Sequence, residues 1–185
     1  MAVRERPFES EEAFESLYRA HASDVFAFCL RRALPSAAED ALAETFAVAW
    51  RRRRDIPEHP VPWLLGVSRR VLANQRRTWR RIEALEKRLS LERPIPGGAE
   101  TADPAVLSAL AALPAKDQEV LLLAAWDELT SRDAGRVVGC SATAYRLRLL
   151  RARRRFARSL ESVDGSMSGA ARAWRTSLEM KEMQS

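Results

Sequence analysis

The chain has 185 residues, 46% of them hydrophobic, which suffices for one ordinary domain or two small ones and excludes wholesale disorder. Charged residues make up 30% and there are only 7 Gly, while Arg, Ala and Leu abound, a mixture that favours helices over sheet. The net charge is +6, no apolar run is long enough to span a bilayer, and the charged N-terminus lacks a signal-peptide core, so a cytoplasmic protein without membrane insertion is expected.

Charge is distributed in blocks. Residues 1–50 carry 5 basic and 9 acidic side chains, residues 51–89 carry 12 and 4, residues 105–131 carry 1 and 4, and residues 132–158 carry 9 and 1. Two basic surfaces, each following an acidic stretch, suit a polyanion held at two places, and DNA is the obvious one. Cys29 and Cys140 lie far apart and lack metal-ligand spacing, so they read as ordinary thiols; no metal site and no cofactor are expected.

Helical spacing of Phe14, Leu17, Tyr18, His21, Val25, Phe28 and Cys29 predicts a first helix over about 11–32, with His21 a core or edge histidine. Leu34-Pro35-Ser36 breaks it, and Ser36 is the expected N-cap of a second helix with Ala41, Leu42, Thr45, Phe46, Ala49 and Trp50 on one stripe. Its outward acids are Glu39, Asp40 and Glu44. Arg51 to Arg54 close that helix, and residues 55–62, with three prolines, are expected to form a stiff, non-helical loop. A third helix is predicted from Trp63, turning strongly basic through Arg69, Arg70, Arg76, Arg77, Arg80 and Arg81.

Residues 90–104 lose all periodicity and read as a linker; fifteen residues at ~3.3–3.6 Å each reach about 50 Å, more than the roughly 34–36 Å of one DNA turn. A short helix through Val106, Leu110 and Leu113 ends at Pro114, and the apolar stretch from Asp117 to Trp126 must be largely buried. The sharpest local signal follows. Thr130 to Val138 reads as a short helix, Gly139 as a tight turn, and Ser141 as the cap of a new helix with Tyr145, Leu149, Ala152 and Phe156 inside. Small Ala134 and Gly135 at the crossing and a basic second helix make this helix-turn-helix punctuation. Beyond Asp164 only Ala171, Trp174 and Leu178 suggest a further short helix, and most of that tail reads as disordered.

These stretches resemble the extracytoplasmic-function (ECF) sigma factors of the sigma-70 family. Phe14-Glu-Ser-Leu-Tyr-Arg-Ala-His21, Ala38-Glu-Asp-Ala-Leu-Ala-Glu-Thr-Phe46 and Pro62-Trp-Leu-Leu-Gly-Val-Ser-Arg-Arg-Val-Leu-Ala-Asn74 are similar to sigma domain two. Leu113-Pro-Ala-Lys-Asp-Gln-Glu-Val-Leu-Leu-Leu123 and Gly139-Cys-Ser141 with Arg148-Leu-Leu-Arg-Ala-Arg153 are similar to sigma domain four. The implied architecture is all-α: two small helical domains joined by a flexible linker, the second a helix-turn-helix domain, with domain two at 8–89, the linker at 90–104, domain four at 105–162 and a tail at 163–185.

The resemblance implies a subunit that binds core RNA polymerase, through the beta-prime coiled coil and the beta flap, and promoter DNA, under an anti-sigma factor, and that works in the cytoplasm at the nucleoid without catalysis of its own. It assigns polymerase binding to Asp40, Leu42, Glu44, Thr45, Phe46 and Trp50. It assigns recognition and melting of the minus-ten element to His59, Trp63, Arg69, Arg70, Asn74, Arg76 and Arg77, where unpairing needs a base pocket and a cationic track. It assigns the minus-thirty-five element to Ser141, Thr143, Arg146, Leu147, Leu150, Arg151 and Arg154. The chain departs from the family's habits at Ala43, Arg70, Gly135 and Leu147, where Gln, Asn, Ala and a small polar residue are commoner. The alternative reading is a stand-alone helix-turn-helix regulator. An enzyme is disfavoured, since two histidines, no Gly-rich phosphate loop and no nucleophile motif leave nothing to assemble.

Overall fold

The computed structural model describes residues 7–86, 103–125, 127 and 129–163, without the side chains of 79–86 and of 162–163. Trp126, residues 90–102 of the linker expected at 90–104, and the tail with Trp174 lie outside the described residues, while Asp103 and Pro104 of that expected linker are the cap and first residue of a helix. The described residues form seven α-helices and one 3-10 turn, with no strand. They divide into two compact units, one of the described residues up to 86 together with 136–139, the other of those from 103 to 135 and from 140 to 163. None of the helices is long and apolar enough to cross a membrane.

In the first unit, α1 (Glu11–Leu30) starts at Ser10, whose side chain accepts from the Ala13 amide at 3.2 Å, with Glu11 and Glu12 against the positive end of the helix dipole. Its last turn has no basic residue, but Arg32 folds back, donates to Phe28 O at 3.0 Å and stacks its guanidinium 3.6 Å from the Phe28 ring. The helix thus ends two residues before the expected Arg32. Leu17, Val25, Phe28 and Cys29 are buried as their spacing predicts, and His21 sits half-buried at the edge of that face. Tyr18 departs from expectation: its ring packs edge-on against Phe46 at 4.7 Å between centroids, yet 43% of the residue stays exposed, at the rim rather than in the core.

The next helix, α2 (Pro35–Arg51), is capped by Leu34 and not by Ser36. Proline at the first helical position has its φ already set and no N–H to waste, so Pro35 begins the helix where the sequence suggested a break. The 3-10 turn at Arg53–Asp55 follows. The third helix, α3 (Val61–Glu86), likewise begins two residues before Trp63 and takes Pro62 into its first turn, so the non-helical loop is shorter than expected. Contacts of α1 with α2 and of both with α3 make a three-helix core. One polar pair is sealed inside: Thr45 Oγ1 lies 2.6 Å from Ala41 O and 3.1 Å from Ser68 Oγ, whose hydroxyl donates to Leu64 O at 2.9 Å.

Four helices follow, α4 (Pro104–Ala111), α5 (Ala115–Ala125), α6 (Ser131–Val138) and α7 (Ala142–Val163), and all but the end of α6 from Arg136 on belong to the second unit. Asp103 caps α4 by accepting from the Ala105 amide at 2.9 Å, and Gln118 on α5 covers the far end, donating to Leu113 O at 2.7 Å and Ala111 O at 3.2 Å. The long α7 lies against α4 and α5, burying Ala152, Phe156 and Leu160 among Leu110, Leu121 and Leu122. Two polar ties fix its rotation. The buried Tyr145 hydroxyl donates to Val120 O at 3.0 Å, and that burial pushes the phenol well above its ordinary pKa, so it stays neutral. Near the middle of α7, Arg155 reaches the buried Asp117 carboxylate on α5 at 2.5 Å.

Because the Arg155 side chain is 44% exposed, that pair acts as a charge-assisted hydrogen bond at the rim of the core. Replacing Asp117 with Ala should lower stability by about 1.5 kcal/mol, the low end for such a bond. Urea denaturation of the purified chain checks this; an unchanged midpoint would show that the tie contributes nothing.

Candidate nucleic-acid interface

The geometry of the second unit is set where α6 meets α7. Thr130 caps α6: its hydroxyl oxygen accepts from the Asp133 amide at 3.2 Å, and its proton goes to the Asp133 carboxylate at 2.8 Å. At the other end Gly139 has φ +76°, the left-handed conformation that closes a helix. The Cys140 amide then bonds back to Gly135 O at 2.8 Å and the Gly139 amide to Arg136 O at 3.3 Å, the paired closure of a Schellman motif. Ser141 caps the next helix, accepting from the Ala144 amide at 3.2 Å. The turn is tight enough that a Cβ on Gly135 would stand 2.8 Å from Cys140 O. That contact explains why glycine stands where the family more often has alanine.

From this corner α7 projects with two opposed faces. Tyr145, Leu149, Ala152, Phe156 and Leu160 turn inward, all buried save the half-buried Leu149. Thr143, Arg146, Leu147, Leu150, Arg151 and Arg154 recur at i, i+3, i+4, i+7, i+8 and i+11, so they share the outer face, and every one is exposed, as is Ser141 at the cap. All seven residues expected at the minus-thirty-five element are therefore brought together. Among the described residues the guanidinium groups of Arg146, Arg151 and Arg154 make no ion pair or side-chain hydrogen bond, in contrast to Arg155.

In the first unit the expected residues divide. Trp63, Arg70, Asn74 and Arg77 lie at i, i+7, i+11 and i+14 of α3, one line along the helix, and all but the half-buried Trp63 are exposed. Exposed His59 joins them: Pro57, His59, Pro62, Trp63 and Arg70 line one concavity, a rigid wall beside a ring and a cation. Arg69 and Arg76 fall on a different line of α3, and Arg76 donates to Arg32 O, tying α3 to the end of α1. The run Arg51 to Arg54 is occupied locally: Arg51 pairs with Glu44 at 3.0 Å, Arg52 with Asp55 at 3.0 Å and Arg54 with Glu9 at 2.7 Å. Arg53 donates to Glu9 O at 3.1 Å and lies 4.4 Å over the Trp50 ring.

The acidic face of α2 requires a correction. Thr45 and Phe46 are buried, the first bonded toward Ser68 and the second packed on Phe14 and Tyr18, so neither is presented to a partner. Leu42 is half-buried. Asp40 and Glu44 are exposed, as is Trp50 at 39%, although Glu44 already pairs with Arg51. Exposed Glu39 belongs to the same face. The residues assigned to polymerase binding left out Phe14 and Tyr18, whose rings stand against Trp50 at 5.0 Å and Phe46 at 4.7 Å and extend the face onto α1. Their helical spacing signalled a core position, and only the packing sets Tyr18 at the rim. Among the described residues no group of three or more His, Cys, Asp and Glu gathers to hold a metal.

A cationic helix behind a closed Gly turn is the geometry of a helix-turn-helix module. More particularly, residues 104–156 match the family model described as Sigma-70, region 4. No curated protein matches the chain. Among solved structures, the chain is similar to one in the co-crystal structure of the sigma factor RpoE in complex with the anti-sigma factor NepR from Bartonella quintana. The TM-score is 0.63 at 21% identity, covering 81% of this chain and 98% of that one. It is also similar to one in the structure of CnrH in complex with the cytosolic domain of CnrY, with a TM-score of 0.56 at 23% identity over 83% of this chain and 90% of that one. Over the shared part of the chain the fold is thus that of these structures.

Two substitutions at the corner separate its two constraints. Gly139→Ala meets nothing within 4 Å and should cost only the left-handed backbone, about 1 kcal/mol. Gly135→Ala meets backbone at 2.8 Å and should cost about 1–3 kcal/mol and displace α7. Thermal unfolding of both variants measures the costs; equal stability of Gly135→Ala and the parent chain would refute the close approach. Thr45→Val removes the buried hydroxyl that bonds toward Ser68 and should cost about 1 kcal/mol, measured by urea denaturation.

Proposed function

We propose that this chain is a promoter-specificity subunit of RNA polymerase, docking on the core enzyme through the acidic and aromatic face of α2 and α1. The residues assigned to that contact are Asp40, Glu44, Trp50 and half-buried Leu42, with Glu39 and Tyr18 added to them. Negative charge beside exposed aromatic rings suits a basic coiled coil such as that of the beta-prime subunit. The line of Trp63, Arg70, Asn74 and Arg77, with His59 beside it, is assigned to the minus-ten element, where an extruded base needs a wall and a ring and its strand needs cations. Arg69 and Arg76, expected at the same element, lie on another line of α3, where Arg76 is tied to Arg32 O. The outer face of α7 is assigned to the major groove of the minus-thirty-five element, with the Ser141 end of the helix against a phosphate.

The observation that carries this reading is the outer face of α7. Seven residues named from the resemblance fall on one exposed surface, opposite a buried stripe, with three arginines left without an acid to pair with among the described residues. An anti-sigma factor is a further expected partner, since both solved structures above hold a sigma-factor fold with a second protein, and masking the α2 or α7 face would silence the chain. The working place is the cytoplasm, at the nucleoid.

Run-off transcription with purified core polymerase on a promoter library tests the proposal. The chain should confer initiation and return two sequence elements. Arg146→Ala and Arg151→Ala should each weaken promoter binding by about 5–150-fold if bidentate to a base. Initiation without the chain, or specific binding of promoter DNA by the chain without polymerase, would instead favour a stand-alone regulator.

A further inference from the structure

Two leucines stand where charge dominates. Leu147 is 47% exposed and Leu150 is 37% exposed, and among the described residues of the second unit they are the only large apolar side chains left so open. Both lie on the outer face of α7, with Arg146, Arg148, Arg151 and Arg154 around them. Single exposed leucines are ordinary, but a pair on successive turns of the most cationic surface is not what solvation alone would select. Neither can grip a phosphate. What an aliphatic side chain can match inside a strongly anionic surface is an apolar group displayed there, and in the major groove that group is the C5 methyl of thymine.

The spacing agrees. Three residues at 1.5 Å each separate the two side chains by about 4.5 Å along the helix axis, close to the roughly 3.4 Å between base pairs. Arg146 and Arg151 sit one residue outside the pair on either side, placed for the flanking guanines or phosphates. We propose that Leu147 and Leu150 read the methyl groups of thymines in neighbouring A·T pairs of the upstream promoter element. This rests on α7 entering the major groove, as argued above.

The test uses the full chain assembled with core polymerase on a promoter returned by the library. Each thymidine of the upstream element is replaced in turn by deoxyuridine, which removes one methyl and keeps every hydrogen bond. Affinity should fall about fourfold at neighbouring positions, the worth of one buried carbon, and at no others in that element. The Leu147→Ala, Leu150→Ala double variant should bind the thymidine promoter correspondingly more weakly and should no longer distinguish deoxyuridine. Both side chains are exposed, so circular dichroism and the melting temperature should match the parent chain. The proposal is overturned if no deoxyuridine position matters, or if parent and variant lose equally at each. It is also overturned if the variant keeps its promoter preference but loses binding to core enzyme or to an inhibitory protein, since the pair would then face protein. Failure of the parent chain to support initiation at any library promoter would overturn the underlying functional reading, a result recognisably different from these.

Discussion

The close approach of Gly135 to Cys140 O, 2.8 Å from where a Cβ would stand, fixes the direction in which the recognition helix leaves its partner. Everything α7 does follows from that direction. With the turn closed by the Cys140–Gly135 and Gly139–Arg136 bonds, the first residues of α7 need no help from the core to find their orientation. The Tyr145 hydroxyl on Val120 O and Arg155 on Asp117 then stop the helix from rotating about its own axis. A helix held at its corner and in its rotation presents one face reproducibly, which is what base reading requires, since a few ångströms of error lose a bidentate contact.

The arginines divide into two populations by what they touch. Arg51, Arg52, Arg54 and Arg155 each have a carboxylate within 3.0 Å, and Arg32 and Arg53 lie over aromatic rings. Their charge is consumed in holding helix ends and loops. On the proposed reading those on the outer face of α7 and along the Trp63 line of α3 are kept for DNA, because an unpaired cation on a rigid helix costs little in water and gains when counterions leave DNA. Formal charge per block therefore overstates the first basic surface, where four of the arginines belong to the architecture.

How much was legible in the sequence depended on whether the deciding interaction was local. The helix-turn-helix corner was, because Gly139 and Ser141 act through their own backbone and caps, and the outer face of α7 was, because period 3.6 with Tyr145, Ala152 and Phe156 inside leaves one solution. Pro35 and Pro62 misled, since proline stops a helix from within but starts one at its first turn. Thr45 and Phe46 misled for another reason: a motif shared with a family marks residues that are kept, and packing keeps residues as surely as contact does. The occupation of Arg53 and Arg54 by Glu9, more than forty positions away, leaves no trace in any local pattern.

Two small units with separate cores also bear on how such a chain can be selective. Each proposed reader has a handful of base or phosphate contacts, and at about 1–3 kcal/mol for a good base contact neither alone outweighs the many competing sites on a genome. Docking on a common partner changes the arithmetic, because once one element is engaged the second encounter becomes intramolecular, at an effective concentration set by the tether and the partner's surface. Sixteen residues separate Glu86 at the end of α3 from Asp103 at the cap of α4, and at ~3.3–3.6 Å each that length of chain exceeds one turn of DNA. On this view the acidic face of α2 is as much a determinant of promoter choice as the arginines of α7: it supplies no sequence information, and yet without it two weak readers would stay weak.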